Sequence, residues 1–387
     1  MVVSEAGIVC RKGRAHLERF LIDCQARAEI MTPLMEEILK QPDALSGVRK
    51  YYASPGAIPQ NLRKKLGVSR ETLVVFTGMG SSLHAAYPAQ AWLTAMGYRA
   101  IVWEAAELLH HHLKVLSPDT LLVVVSQSGE TVEVTQLLEV LPKKINVVAV
   151  TNVESSTLAR KGKLLLPMLA GVQATVSTKT YSCAVAVLMY FAFALAGESS
   201  RPLSQTLMNA VDAQEEILER HDDLMLPTLE FFNHPPYVAL LSRGADMASA
   251  FQGALMLKEV ARLAAEPITA AQFRHGPIEI VNPSHCYIIF ARHTHPGVTT
   301  PRTRKPATLL LKLADDIRSH KGRVLLISDR AVDDVTNMRL IQVDPIRLGL
   351  GTLVDIVLIQ LLAHDYALRA GFEPGKFWIA EGVTRHE

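Results

Sequence analysis

Glu259 and His275 are the residues of this 387-residue chain best placed for acid–base chemistry. Glu259 ends the run Gly253-Ala254-Leu255-Met256-Leu257-Lys258-Glu259-Val260, which is helical in pattern and largely apolar. A carboxylate in such a setting is costly unless it is used or paired. Used, it takes a proton from one carbon and returns it to the next. Paired, it is a helix-surface residue facing Arg262 one turn on. Sixteen residues later, Phe273-Arg274-His275-Gly276-Pro277 puts an imidazole in a loop stiffened by glycine and proline. Such a histidine can exchange protons near neutrality, or be a plain loop residue.

Three hydroxyl-rich segments in the first half suit an anionic ligand. Gly78-Met79-Gly80-Ser81-Ser82 lies between a strand and a helix, where glycines allow a tight turn and serines present hydroxyls; taken alone it is also an ordinary turn and cap. In Ser126-Gln127-Ser128-Gly129-Glu130-Thr131, which follows Val123-Val124-Val125, hydroxyls, an amide and free backbone amides meet at a helix start. That is a good cradle for a phosphate monoester. Ser177-Thr178-Lys179-Thr180 precedes a third helix. No nucleotide P-loop or dinucleotide fingerprint is present. His110-His111-His112 looks like a metal site but is expected to be a solvated helix end or the rim of a substrate crevice, because consecutive helical residues point in different directions.

These residues need a scaffold with several strand-to-helix turns at one edge. Short apolar runs at Leu73-Phe76, Ala100-Trp103, Leu121-Val125, Val147-Val150 and Leu164-Pro167 read as strands buried on both faces of a parallel sheet. The pattern restarts after a helical region over Tyr181 to Leu229. It predicts strands at Tyr237-Leu241, Cys286-Ala291, Val324-Ile327 and Leu340-Val343, and helices over Asp246 to Ala265, Pro306 to His320 and Gly351 to Ala370. The fold expected is α/β, two doubly wound, flavodoxin-like three-layer units in tandem. The expected boundaries are a helical extension over 1–50, a first unit over 51–215 carrying the hydroxyl loops, and a second over 216–387 carrying Glu259 and His275. Near the start, Gln41-Pro42 is expected to end a helix containing Leu34 and Ile38.

Composition narrows the partners. Forty basic and 38 acidic residues leave a net charge of +2, with no cationic cluster beyond Arg63-Lys64-Lys65 and Arg302-Thr303-Arg304-Lys305, so nucleic acid is disfavoured. Cys10, Cys24, Cys183 and Cys286 are widely spaced, as reduced thiols would be in a cytoplasmic protein. The longest apolar stretch, Ala184 to Ala196, is too short to span a bilayer and reads as a buried helix. The opening residues do not resemble a secretion signal.

Together, Gly80-Ser81-Ser82, Ser126 through Thr131, Ser177-Thr178-Lys179-Thr180, Leu257-Lys258-Glu259 and His275-Gly276-Pro277 resemble the isomerase half of glucosamine-6-phosphate synthase, a pair of sugar isomerase (SIS) domains. The motifs keep the family's order over some 350 residues, from Glu36-Glu37-Ile38-Leu39-Lys40-Gln41-Pro42 to the C-terminus. The resemblance implies that Gly80, Ser81, Ser82, Ser126, Gln127, Ser128, Thr131 and Ser177 bind a phosphosugar, Glu259 transfers the proton and His275 opens the ring from a neighbouring subunit. It therefore implies a homodimer with a shared site and no cofactor or metal. No glutamine-hydrolysing half is expected. The family's C-terminal lysine falls at Glu381, and another three residues before the base falls at Met256. A substrate that already bears nitrogen needs neither amine, and Glu381 could meet its ammonium or be a tail residue. The segment from Phe273 to Glu279 also resembles deglycases of phosphorylated fructosyl amino acids. The implied activity is isomerisation, deamination or deglycation of an amino-substituted hexose 6-phosphate. The alternatives are plain aldose–ketose isomerisation and a phosphosugar-binding regulator without turnover.

Overall fold

The computed structural model describes residues 31–293, 306–333 and 335–379. In chain order the first part comprises α1 (Pro33–Leu39), α2 (Gln41–Tyr52), α3 (Leu62–Leu66), β1 (Leu73–Gly78), α4 (Gly80–His84), α5 (Tyr87–Ala95), β2 (Arg99–Glu104), α6 (Ala105–His110), β3 (Thr120–Val125), α7 (Val132–Val140), β4 (Asn146–Thr151), α8 (Thr157–Lys161) and β5 (Leu164–Pro167). Helices α9 (Lys179–Ala196), α10 (Ser200–Glu219) and α11 (His221–Phe232) follow. The second part comprises β6 (Val238–Ser242), α12 (Met247–Glu259), β7 (Ala265–Thr269), α13 (Ala270–Phe273), β8 (Cys286–Ala291), α14 (Pro306–Ser319), β9 (Arg323–Ser328), β10 (Met338–Gln342) and α15 (Thr352–Arg369).

Two parallel five-stranded sheets result, ordered β2-β1-β3-β4-β5 and β10-β9-β8-β6-β7. Read from β7, the second order repeats the first, so in each parallel sheet the order of strand addition reverses between its first and third strands. Alternation along the strands divides the apolar side chains among three cores. Val74, Phe76, Leu121 and Val123 face a large central core that Val238, Leu240, Ile288 and Leu325 also enter from the second sheet. Val75, Leu122 and Val124 face an outer layer with α6 and α7, and Ala239, Leu241 and Ile289 face another with α14.

The central core is where the two sheets are joined. Helix α9 is its axis: 17 of its 18 residues are buried, and it ends on Gly197 in the left-handed conformation that only glycine adopts without strain. It is long and apolar enough to cross a membrane, but 89% of it lies inside the protein. Helices α1 and α2 also enter this core through Leu34, Ile38, Leu45 and Val48, so the described part of the expected N-terminal extension is built into the body.

Three local expectations are corrected. Pro42 does not simply stop a helix: α1 ends at Leu39 and Pro42 sits in the first turn of α2, where its missing amide has no partner to lose. The helical region expected after Tyr181 is present, divided into three helices. The helix expected to reach Ala265 ends at Glu259, because the chain turns at Val260 and Ala261 and Arg262 adopts a left-handed conformation. Residues 265–269 instead form β7, an edge strand whose Pro267 and Glu266 hide the usual strand signature.

Candidate active site

The switch in strand order places two of the hydroxyl loops side by side. In open parallel sheets the crevice for a ligand lies at the carboxyl ends of the strands where the order reverses, here between β1 and β3. The loop after β1 carries Gly78 to Ser82, and the loop after β3 carries Ser126 to Thr131. They touch: a Cβ on Gly78 would lie 2.6 Å from the Val125 carbonyl oxygen, so only glycine fits. Gly80 has φ +48, and the hydroxyls of Ser81 and Ser82 are half-buried with no hydrogen bond to the described residues.

The second loop is held rigid from within. Ser126 is buried, its Oγ is 2.9 Å from Thr131 Oγ1, and it accepts the Gly129 amide at 3.1 Å. Gly129 has φ +67, and a side chain there would collide with Ser156. Ser128 Oγ accepts the Glu130 amide at 3.2 Å, and Glu130 accepts the Thr157 amide at 2.6 Å, tying the loop to α8. The Gln127 carbonyl is fixed by the Asn152 amide at 3.0 Å. The Gln127 side chain lines a cavity of about 550 Å³ that extends past Asn152 and Pro167 to Gln173.

Ser177 reaches the crevice by a longer route, because β5 is an edge strand. The loop that carries it is gripped by Glu37 of α1, a buried carboxylate that accepts the Ala174 amide at 2.6 Å and bonds Gln173 Nε2 and Thr175 Oγ1. The buried Lys179 donates to the Val172 carbonyl from the other side at 2.6 Å. Ser177 Oγ is 2.7 Å from Thr180 Oγ1, at the start of α9.

Helix α12 from the second part joins these loops. Gln252 donates to the Ser177 carbonyl at 3.4 Å and accepts from His84 Nδ1 at 3.1 Å. Leu255 lies 3.8 Å from where a Gly80 Cβ would be. Glu259 follows at the spacing that puts residues 252, 255 and 259 on one helix face. The base candidate is therefore one turn beyond the contact with the first hydroxyl loop, which itself touches the second. Glu259 is half-buried, and among the described residues no hydrogen bond or ion pair reaches it. Burial pushes its carboxyl up from 4.5 to about 7, against the pull of Lys258. The pairing with Arg262 does not form: that guanidinium lies over the rings of Phe372 and Trp378, 4.2 and 4.8 Å from their centroids. Met256 is fully buried in the central core.

Among the described residues, no hydrogen bond or ion pair links His275 to Glu259. His275 is exposed, and its backbone amide donates to Gln272. Glu381 lies outside the described residues, as do Cys10, Cys24 and Arg302 to Lys305. Cys183 and Cys286 are buried thiols, each pushed up to about 12 by burial. The His112 ring lies against Trp103, tilted by 39° with centroids 4.3 Å apart.

Sequence reasoning missed Glu37, His84 and Gln252. Glu37 and Gln252 carry the same faint signal as Glu259, a polar residue on a helix face that is otherwise apolar. Burial lowers His84 to about 4, with Lys258 assisting and its bond to Gln252 opposing, so it is neutral at physiological pH. The matching edge of the second sheet is already occupied by its own polar pairs. Arg292 is paired with Asp355 deep inside, and His293 Nδ1 lies 2.8 Å from Asp329.

Residues 69–196 match the family model described as "SIS domain". The glutamine–fructose-6-phosphate aminotransferase (isomerizing) of Thermococcus kodakarensis is 28% identical over 363 residues, covering 89% of this chain and 56% of that protein. The chain thus spans about half the length of such relatives. Two solved structures share the fold. The C-terminal domain of glucosamine-fructose-6-phosphate aminotransferase from Francisella tularensis has a TM-score of 0.79 at 20% identity, covering 90% of this chain and 99% of that one. A glucosamine-6-phosphate deaminase from Thermotoga maritima has a TM-score of 0.66 at 21% identity, covering 90% and 99%. Residues 69–196 therefore carry a SIS domain, and the chain is similar to the glutamine–fructose-6-phosphate aminotransferases over most of its own length.

Proposed function

We propose that this protein is a phosphosugar isomerase-type enzyme, with two SIS units in tandem over 51–215 and 216–387, acting on an amino-substituted hexose 6-phosphate. The observation that carries this reading is the half-buried, unpaired Glu259 on the helix face that contacts the hydroxyl loops. A carboxyl with a midpoint of about 7 is half ionised at neutral pH, so it can remove a proton from C1 or C2 and hand it back to the neighbouring carbon. Ser82, Ser126, Gln127, Ser128 and Thr131 would hold the phosphate ester and sugar hydroxyls, assisted by Gly80, Ser81 and Ser177. Hydroxyl and amide donors at a helix start suit a phosphate dianion without needing a lysine.

The exposure of His275 supports its serving a second copy of the chain, in a cytoplasmic homodimer whose sites are shared between subunits. In that arrangement its imidazole would exchange the proton on the ring oxygen, and Glu381 would face the substrate ammonium. Met256 and Glu381, standing where the synthase family has lysines, favour deamination or deglycation over amide-nitrogen transfer.

The test is incubation with glucosamine 6-phosphate, fructose 6-phosphate and a 6-phosphorylated fructosyl amino acid in deuterated water. Deuterium at C1 or C2, lost in Glu259→Gln with ligand binding retained, is the expected result. Turnover of fructose 6-phosphate alone would point to plain isomerisation. Binding with neither exchange nor product would leave a sensor and refute the enzyme.

A further inference from the structure

The cation nearest to Glu259 in sequence, after Lys258, is turned away from it. Arg262 follows the last residue of α12 by three positions and has φ +54, a conformation uncommon for a residue with a side chain. Arg262 is exposed, and its guanidinium lies over the rings of Phe372 and Trp378, with centroids 4.2 and 4.8 Å away. Cation–π contacts of this kind hold arginine without a carboxylate. The aromatic partners belong to the segment after α15, and that segment is itself docked. Phe372 and Phe377 pack against the central core, and Gly375, at φ +78, is so close to Leu34 and Thr175 that a Cβ would lie 3.1 and 3.2 Å from their Cβ atoms. Thr175 is one of the residues held by Glu37 in the loop that leads to Ser177. One stretch of seven residues thus touches α1, the Ser177 loop and the residue just beyond the base helix.

We propose that Arg262 is a positioning residue: gripped by Phe372 and Trp378, it is kept off Glu259 while it fastens the C-terminal segment between the base helix and the Ser177 loop. This rests on the reading of Glu259 as the base. The other titratable groups on elements packed around α12 are engaged elsewhere. His84 bonds Gln252, Asp355 bonds Arg292 and Ser249, Glu266 bonds Tyr237, and Tyr87 stacks on Phe251; further along α15, Asp365 bonds His364 and His221, Tyr366 bonds His234, and Arg369 has its own interactions. Asp246, buried beneath the start of α12, has its own interactions. Among the described residues only Lys258, which is exposed, pulls on Glu259, and a freed Arg262 would add a second pull.

The closing experiment follows the Glu259 carboxyl by ¹³C NMR in glutamate-labelled protein, with Glu259→Gln as the assignment control. Trp378 is 77% exposed, so Trp378→Leu leaves the core intact. The Phe372→Leu/Trp378→Leu pair removes both rings. The expected result is a midpoint that falls by about one unit or more when the rings are removed, as for a carboxylate gaining a cation. It should return when Arg262→Gln is added, and stay high in Trp378→Phe. The acidic limb of deuterium exchange should move with it. A midpoint unmoved in both ring variants overturns the proposal. The titration is read without turnover, so failure of exchange in the unaltered chain would sink the enzymatic reading separately.

Discussion

Replacing Glu259 by glutamine should stabilise this protein in alkali while abolishing proton transfer. Glu259 is half-buried with no hydrogen bond or ion pair among the described residues, and burial pushes its carboxyl from 4.5 to about 7 against the pull of Lys258. A carboxyl that binds its proton more tightly in the folded chain than in the unfolded one favours folding below 4.5. That contribution fades as pH rises, and above pH 7 it is gone. Relative to an ordinary glutamate, the shift corresponds to about 3 kcal/mol of native-state destabilisation at pH 8. Glutamine has nearly the same shape and no charge to desolvate, so Glu259→Gln should regain much of this at pH 8 and almost none at pH 4.5. Thermal unfolding of both proteins from pH 4.5 to 8.5 measures it, the gap in midpoint opening mainly between pH 5 and 7. Equal midpoints at pH 8, or a less stable Glu259→Gln, would refute the reasoning, because they would mean that a cation already compensates the carboxylate.

Two further outcomes test the scaffold around the site. Gly129→Ala should weaken phosphosugar binding at least tenfold in calorimetry, because the new methyl collides with Ser156 and the loop must leave φ +67. Arg292→Leu should destabilise the chain by about 3–5 kcal/mol in urea at pH 7.5, since it strands the fully buried Asp355, and Arg292→Leu/Asp355→Leu should recover much of that loss.

The amino-acid sequence by itself determined the strands, the hydroxyl loops and their order along the chain. Runs such as Leu121-Val125 and Cys286-Ala291 are wholly apolar because both sheet faces are covered, and that condition is written into every residue of the strand. Edge strand β7 escaped, because one side of it meets solvent and its Ala-Glu-Pro-Ile-Thr carries no such run. The likeness of the motifs to a known family was also legible, since motifs are local. What only the tertiary structure decided was which polar residues are compensated. Glu37 and Glu259 look alike on their helices, yet Glu37 spends its charge on a loop 137 residues away while Glu259 meets nothing among the described residues. Arg262 stands one helical turn from Glu259 and would be written down as its partner, but the backbone turns over at Val260 and two aromatic rings more than 100 residues later take the guanidinium. A carboxyl's basicity depends on the dielectric and charges within a few ångströms, and those neighbours are assembled from distant segments only when the chain folds.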